Sequence, residues 1–216
     1  NFAAGAADAL GKVQEPLTVK EEDDMAPVFT SEEIPDEVFA RMAGKSYKED
    51  CTVPREDLRY LRISCVGADG SPYVGEMVAA ADLAEDLLDI FRQLYEAGYP
   101  IERMQLIDDY DASDQASMEA NNTTCFNFRQ IAGSTKLSNH SLGRAVDINP
   151  LYNPYVKKTA SGTIYDPPVA EAYADRDKDF PYKIDHDDLC YQLFTAHGFT
   201  WGGDWNSVKD YQHFEK

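Results

Sequence analysis

Between residues 58 and 98 the sequence changes its hydrophobic period once, and that change narrows the folds open to it. LRYLRISCVG (58–67) alternates as a strand does, ADGSPY turns, and YVGEMV (73–78) reads as the hairpin partner. The period then lengthens: Leu83, Leu87, Phe91, Leu94 and Tyr95 fall on one helical face, behind a capping-box pattern of Asp82 and Glu85, and Gly98 and Pro100 end the run. A hairpin followed by an amphipathic helix buries its apolar surface most simply by laying the helix on the sheet. The expected fold class is therefore α+β, a central, mostly antiparallel sheet with flanking helices packed to one side.

The rest of the chain is organised around that unit. Residues 1–54 read as an acidic N-terminal arm: Ala/Gly-rich at first, then KEEDD (20–24), then broken by Pro27. It holds one short helix, with Ser31 as N-cap, Val38, Phe39 and Met42 as its apolar face and Gly44 as its stop. Residues 55–216 read as one domain. ERMQLIDDY (102–110) is expected as a strand running into an acidic loop, 150–185 as a long surface loop, and 187–197 as a second helix carrying Leu189, Leu193 and Phe194. With 216 residues, 43% of them hydrophobic and 12% aromatic, the chain has enough apolar surface for a globular core.

Charge and cysteines exclude some partners. Twenty basic against 39 acidic residues give a net charge of −19, which argues against nucleic acid, whose phosphates require clustered Lys and Arg. No apolar run reaches 18 residues, so no transmembrane segment is expected, and NFAAGAADALG lacks the basic start and apolar core of a secretory signal. Cys51, Cys65, Cys125 and Cys190 form no C-x-x-C pair; two disulfides in three possible pairings, or four thiols, both stay open.

The chemistry concentrates in SNHSLGRAVDIN (138–149). Gly143 permits a tight turn after His140, and a strand through Ala145 and Asp147 returns the carboxylate under the imidazole with only the small Ala145 beside it. Catalytic zinc takes three protein ligands and keeps one open position. His213, in the terminal DYQHFE, is the best third ligand, with Asp210 three residues earlier as a carboxylate for the water proton. A surface acid beside a capping histidine is the competing reading of that pair. His186, at a helix start, and His197, before Gly198 at a helix end, are read as structural. Arg129, in CFNFRQ, is either an ordinary salt bridge or a guanidinium aimed at a carboxylate or oxyanion. DDYDASD (108–114) has calcium-like spacing at Asp109, Asp111 and Ser113, but Asp114 stands where the loop needs glycine and Ala120 where it needs glutamate.

The pattern S-x-H-x-x-G-x-A-x-D, met by Ser138, His140, Gly143, Ala145 and Asp147, together with WGGDW and DYQHFE, resembles the zinc D-alanyl-D-alanine carboxypeptidases and their L-alanyl-D-glutamate endopeptidase relatives. The resemblance runs from about residue 55 to the end and implies a hedgehog/DD-peptidase-like fold. It implies Zn²⁺ on His140, Asp147 and His213, Asp210 as general base, and Arg129 steadying the substrate; Ser138 is read beside these as substrate-binding, and Trp205 as shaping the cleft wall or packing in the core. The implied substrate is the peptidoglycan stem peptide, and the implied setting is extracytoplasmic; the arm, which the catalytic motifs do not explain, is read as a surface tether and the protein as a monomer. Several members have Glu where Asp210 stands, and aspartate there is closer to the endopeptidase branch. A non-catalytic zinc-containing cell-wall binding module is the further alternative, against which the retained Asp210 speaks.

Overall fold

The computed structural model describes residues 26–216, so the first part of the expected arm, KEEDD included, lies outside the described residues. β1 (Phe29–Glu32) pairs antiparallel with β2 (Leu58–Val66), reached through the helix α1 (Asp36–Met42), and β2 pairs in turn with β3 (Pro72–Ala80). α2 (Ala84–Glu96) follows, as its period predicts. Alternation sorts the sheet's side chains onto two faces. Leu61, Ile63, Met77 and Ala79 face Leu87, Ile90, Phe91 and Leu94 of α2. Leu58, Tyr60 and Val78 face the other way, into a second cluster with Val38 and Met42 of α1 and with Phe126 and Phe128.

That second cluster corrects two expectations. Helices cover both faces of the sheet, not one. Residues 29–54 are also no free arm, because they supply an edge strand and a helix whose buried Val38 and Met42 are worth about 1.5–3 kcal/mol each in apolar burial. Ser31 lies inside β1, and α1 starts behind Pro35 without a side-chain cap. The capping box of α2 is absent too: Asp82 instead receives two hydrogen bonds from Arg144 Nη1, at 2.7 and 2.9 Å.

Residues 102–110 form no strand. The chain touches the sheet where Glu76 N–H donates to Met104 O, beside Gly75, then curls into a 3-10 turn over Ile107–Tyr110. The acidic loop there is consumed by protein partners, which removes the calcium reading. Asp108 accepts from Ser46 N, Asp109 pairs with Arg41, Asp111 with Lys45, and Ser113 caps α3 (Asp114–Glu119).

Beyond residue 140 the strands are short: β4 (Ala145–Asp147), β5 (Tyr155–Thr159), β6 (Gly162–Asp166), then, after α4 (Leu189–Ala196), β7 (Thr200–Trp201), β8 (Lys209–Asp210) and β9 (His213–Glu215). They make two further antiparallel sheets, ordered β4-β9-β7 and β6-β5-β8, so the α+β class holds while the single central sheet becomes three small ones. The expected loop at 150–185 therefore contains the β5–β6 hairpin. It is also pinned by Arg176, whose guanidinium donates to Tyr152 O, Tyr173 O, Asn153 Oδ1 and Ile184 O. Phe194 of α4 stacks on Phe214 of β9 at 4.4 Å and meets Phe91 of α2 edge-on, so the C-terminal strand is seated on the main core. No described helix is long and apolar enough to cross a membrane.

All four cysteines are free thiols, three of them buried. The two structural histidines sit as read. His186 pairs on the surface with Asp204 at 2.6 Å. His197 ties α4 to α2, with Nδ1 against Leu193 O and Nε2 against Asp89 Oδ2 at 2.7 Å. Burial works against charge on His197, but the bonds to Leu193 and Asp89 outweigh it and raise its pKa above the ordinary value. A raised folded-state pKa adds stability that is complete below the unfolded value and fades as pH rises through the folded one. His197→Gln is thus expected to cost about 0.5–1 kcal/mol in urea unfolding at pH 5.5, and clearly less at pH 8.5.

Candidate metal and catalytic site

Ser138 starts the site. Its hydroxyl accepts from His140 N at 3.2 Å and caps a 3-10 turn over Asn139–Leu142. Ser138 is buried in that role as the cap of the turn. Gly143 closes the turn at φ 67°, and a Cβ there would lie 2.6 Å from Ala80 N, so both the conformation and the close approach to β3 require glycine. The chain then enters β4, whose register with β9 places Asp147 directly opposite His213 and Ala145 opposite Glu215.

Three side chains converge there. His140 Nε2 lies 3.1 Å from Asp147 Oδ2, His213 Nδ1 lies 3.3 Å from Asp147 Oδ1, and one ligand atom from each residue falls within 4.8 Å of the others. The outer nitrogens are already engaged. His140 Nδ1 meets Cys125 O at 2.7 Å, and His213 Nε2 meets Glu215 Oε2 at 2.8 Å. A neutral imidazole carries one N–H, and each ring spends it outward. Two nitrogen lone pairs and a carboxylate then face one another in a buried place, an arrangement that holds together only around positive charge. In the metal-free protein that charge is a proton. Burial opposes it, but hydrogen bonds with Asp147 and Glu215 lift His213 to about 10. Burial likewise opposes charge on Asp147, yet the two histidines hold its carboxyl well below the usual range. The donor set, two imidazoles and a carboxylate with outer-shell anchors, fits zinc.

Asp210 approaches from the other small sheet. β8 pairs with β5, so Tyr155 lies between Asp210 on one side and Asp166 on the other. Asp210 Oδ2 stands 3.8 Å from His213 Nδ1, while Oδ1 is buried with no hydrogen-bond partner among the described residues. Burial raises the Asp210 carboxyl, against the pull of His213. Gly202 makes the approach possible, since a Cβ there would sit 2.5 Å from Asp210 O. Trp205 packs its ring 5.1 Å from that of His213 and walls the site, whereas Trp201 is buried and donates from Nε1 to Tyr211 O.

Arg129 is held beside His140 through the backbone: Ser141 Oγ accepts from Arg129 N at 2.8 Å and donates to Arg129 O at 2.7 Å. Its side chain does form a salt bridge, Nε to Asp114 Oδ2 at 2.5 Å, and Asn127 Nδ2 steadies Asp114. Burial raises the carboxyl of Asp166, with the charges of Asp114, Arg129 and Asp147 also acting on it, so Asp166 shares this neighbourhood. Ser141, Asp114, Asp166, Asn139 and Glu215 were missed by sequence reasoning. For Glu215 a signal existed, because a residue two positions along a strand from His213 lies on the same face.

The turn before β4 and the pairing of β4 with β9 bring His140, Asp147 and His213 together as a group that could hold a metal ion. Residues 132–216, which contain His140, Asp147, Asp210 and His213, match the family model described as D-alanyl-D-alanine carboxypeptidase, so the resemblance is shown over that segment. No curated protein and no solved structure matches the chain.

Proposed function

We propose that this chain is a zinc-dependent peptidase of the peptidoglycan stem peptide, removing the terminal D-alanine, in a hedgehog/DD-peptidase-like fold. The observation that carries the reading is the convergence of His140 Nε2, Asp147 and His213 Nδ1, with an Asp210 oxygen alongside that has no hydrogen-bond partner among the described residues. Zinc held by those three ligands would supply a Lewis acid that acidifies water and polarises the scissile carbonyl. Asp210 takes the proton from the attacking water and delivers it to the leaving amine as the C–N bond breaks. Arg129, fixed through Nε, offers its terminal nitrogens to a substrate carboxylate, a fit to guanidinium geometry. Trp205 excludes water on the His213 side. The setting is extracytoplasmic, and the residues before β1 serve as a tether.

The test is mass spectrometry of stem peptides after incubation with zinc-loaded protein. Loss of a single alanine from a pentapeptide stem is the expected result. Release of a longer fragment would assign the endopeptidase bond, to which an aspartate base points. Unchanged peptide with zinc bound would leave a cell-wall binding module. Because the chain carries −19 and wall peptides carry carboxylates, encounter is slowest at low salt.

A further inference from the structure

Glu215 lies outside the ligand set, yet it bonds to both segments that supply it. One carboxylate oxygen, Oε2, stands 2.8 Å from His213 Nε2 and accepts from Asn139 Nδ2, also at 2.8 Å. Asn139 is the residue before His140, in the same 3-10 turn, while Glu215 and His213 share one face of β9. β9 is the middle strand of its sheet, with Ala145 opposite Glu215 on one side and Thr200 on the other, so Glu215 is held in place from both flanks.

Resting on the zinc reading above, we propose that Glu215, anchored by Asn139, is a positioning residue. It accepts the Nε2 proton of His213, commits Nδ1 to the metal, and locks the His140 turn to the strand that carries His213. His140 is committed to the opposite nitrogen by the carbonyl of Cys125. The two imidazoles therefore present different nitrogens to one point, and each choice is made by a single outer partner. Without Glu215 the His213 ring can flip, or shift its proton to Nδ1, and the ligand is lost for that fraction of molecules.

The experiment is the equilibrium zinc affinity of the full chain, by chelator competition, for wild type, Glu215→Ala, Glu215→Gln and Asn139→Ala. Glu215→Ala is expected to weaken zinc by about 10–100-fold. Glu215→Gln keeps an oxygen acceptor and is expected to recover most of that loss, and Asn139→Ala to fall between. A merely structural role would lower the metal-free unfolding midpoint and leave Gln no better than Ala. Zinc affinities of Glu215→Ala and Asn139→Ala within twofold of wild type overturn the proposal while leaving the zinc site standing. A wild type that takes up no zinc overturns both, and a His140→Ala control separates the cases: it must abolish binding if the site is real.

Discussion

Asp210→Asn is expected to lower kcat for stem-peptide cleavage by about 10²–10⁴-fold, with zinc content and unfolding midpoint near wild type. Asparagine keeps the size and shape of the side chain but is neutral, places an NH2 donor where one oxygen stood, and cannot take a proton. The carboxylate is well placed to accept one, with Oδ2 3.8 Å from His213 Nδ1 and Oδ1 buried without a hydrogen-bond partner among the described residues. Burial raises its pKa above that of an ordinary carboxylate, toward the range in which a base both accepts and returns a proton at neutral pH. The acid limb of kcat/KM that Asp210 supplies is accordingly expected to be missing from the residual activity of the variant. A variant within threefold of wild type would move the role elsewhere, and Asp166 is the next carboxylate to test, since it flanks Tyr155 from the opposite strand. Asp210→Glu is no rescue here, because Gly202 has already let the Asp210 backbone come close and the longer side chain would overshoot.

What the sequence showed and what it hid divide along the range of the interactions. His140, Gly143, Ala145 and Asp147 lie within one turn and one short strand, so their geometry follows from local rules. Gly143 has the positive φ and the crowding against β3 that its place in the motif suggested. The hairpin and α2 were legible for the same reason. Docking of α1 was not. The pattern around Val38 and Met42 predicts a helix, but nothing local says that it packs on Leu58 and Tyr60, more than a dozen residues on. A sign was present in β2, whose even positions include Leu58 and Tyr60 and so are too apolar for a face left to water. The β5–β6 hairpin escaped because its strands are largely exposed on both faces, which removes the alternation that marks a strand. Asp114 on Arg129 and Glu215 on His213 are outer-shell contacts, fixed by tertiary placement, and only the second had a same-face cue.

The other large effect concerns Asp147. Zinc at a hundred times its Kd adds about 2.7 kcal/mol to the stability of a protein that binds it only when folded, and for a chain of this size that is a rise of about 5–11 °C in Tm. Asp147→Asn is expected to erase this gain. Asp147 is the only carboxylate of the three ligands and lies against both histidines, at 3.1 and 3.3 Å. Its loss should exceed the 10–100-fold that an outer-shell residue costs, so the same zinc concentration would sit at or below Kd and add no more than about 0.4 kcal/mol, roughly 1–2 °C. The metal-free proteins differ as well. His213 holds its proton in part through Asp147, so the metal must displace that proton, and zinc binding in wild type is expected to weaken as pH falls. In Asp147→Asn the imidazole loses a partner and its pKa falls. The variant then releases less of a proton on any residual zinc binding, which calorimetry in two buffers of different ionisation enthalpy reads directly. A Tm that rises with zinc equally in both proteins would place the metal elsewhere on the chain and remove the foundation of the catalytic reading.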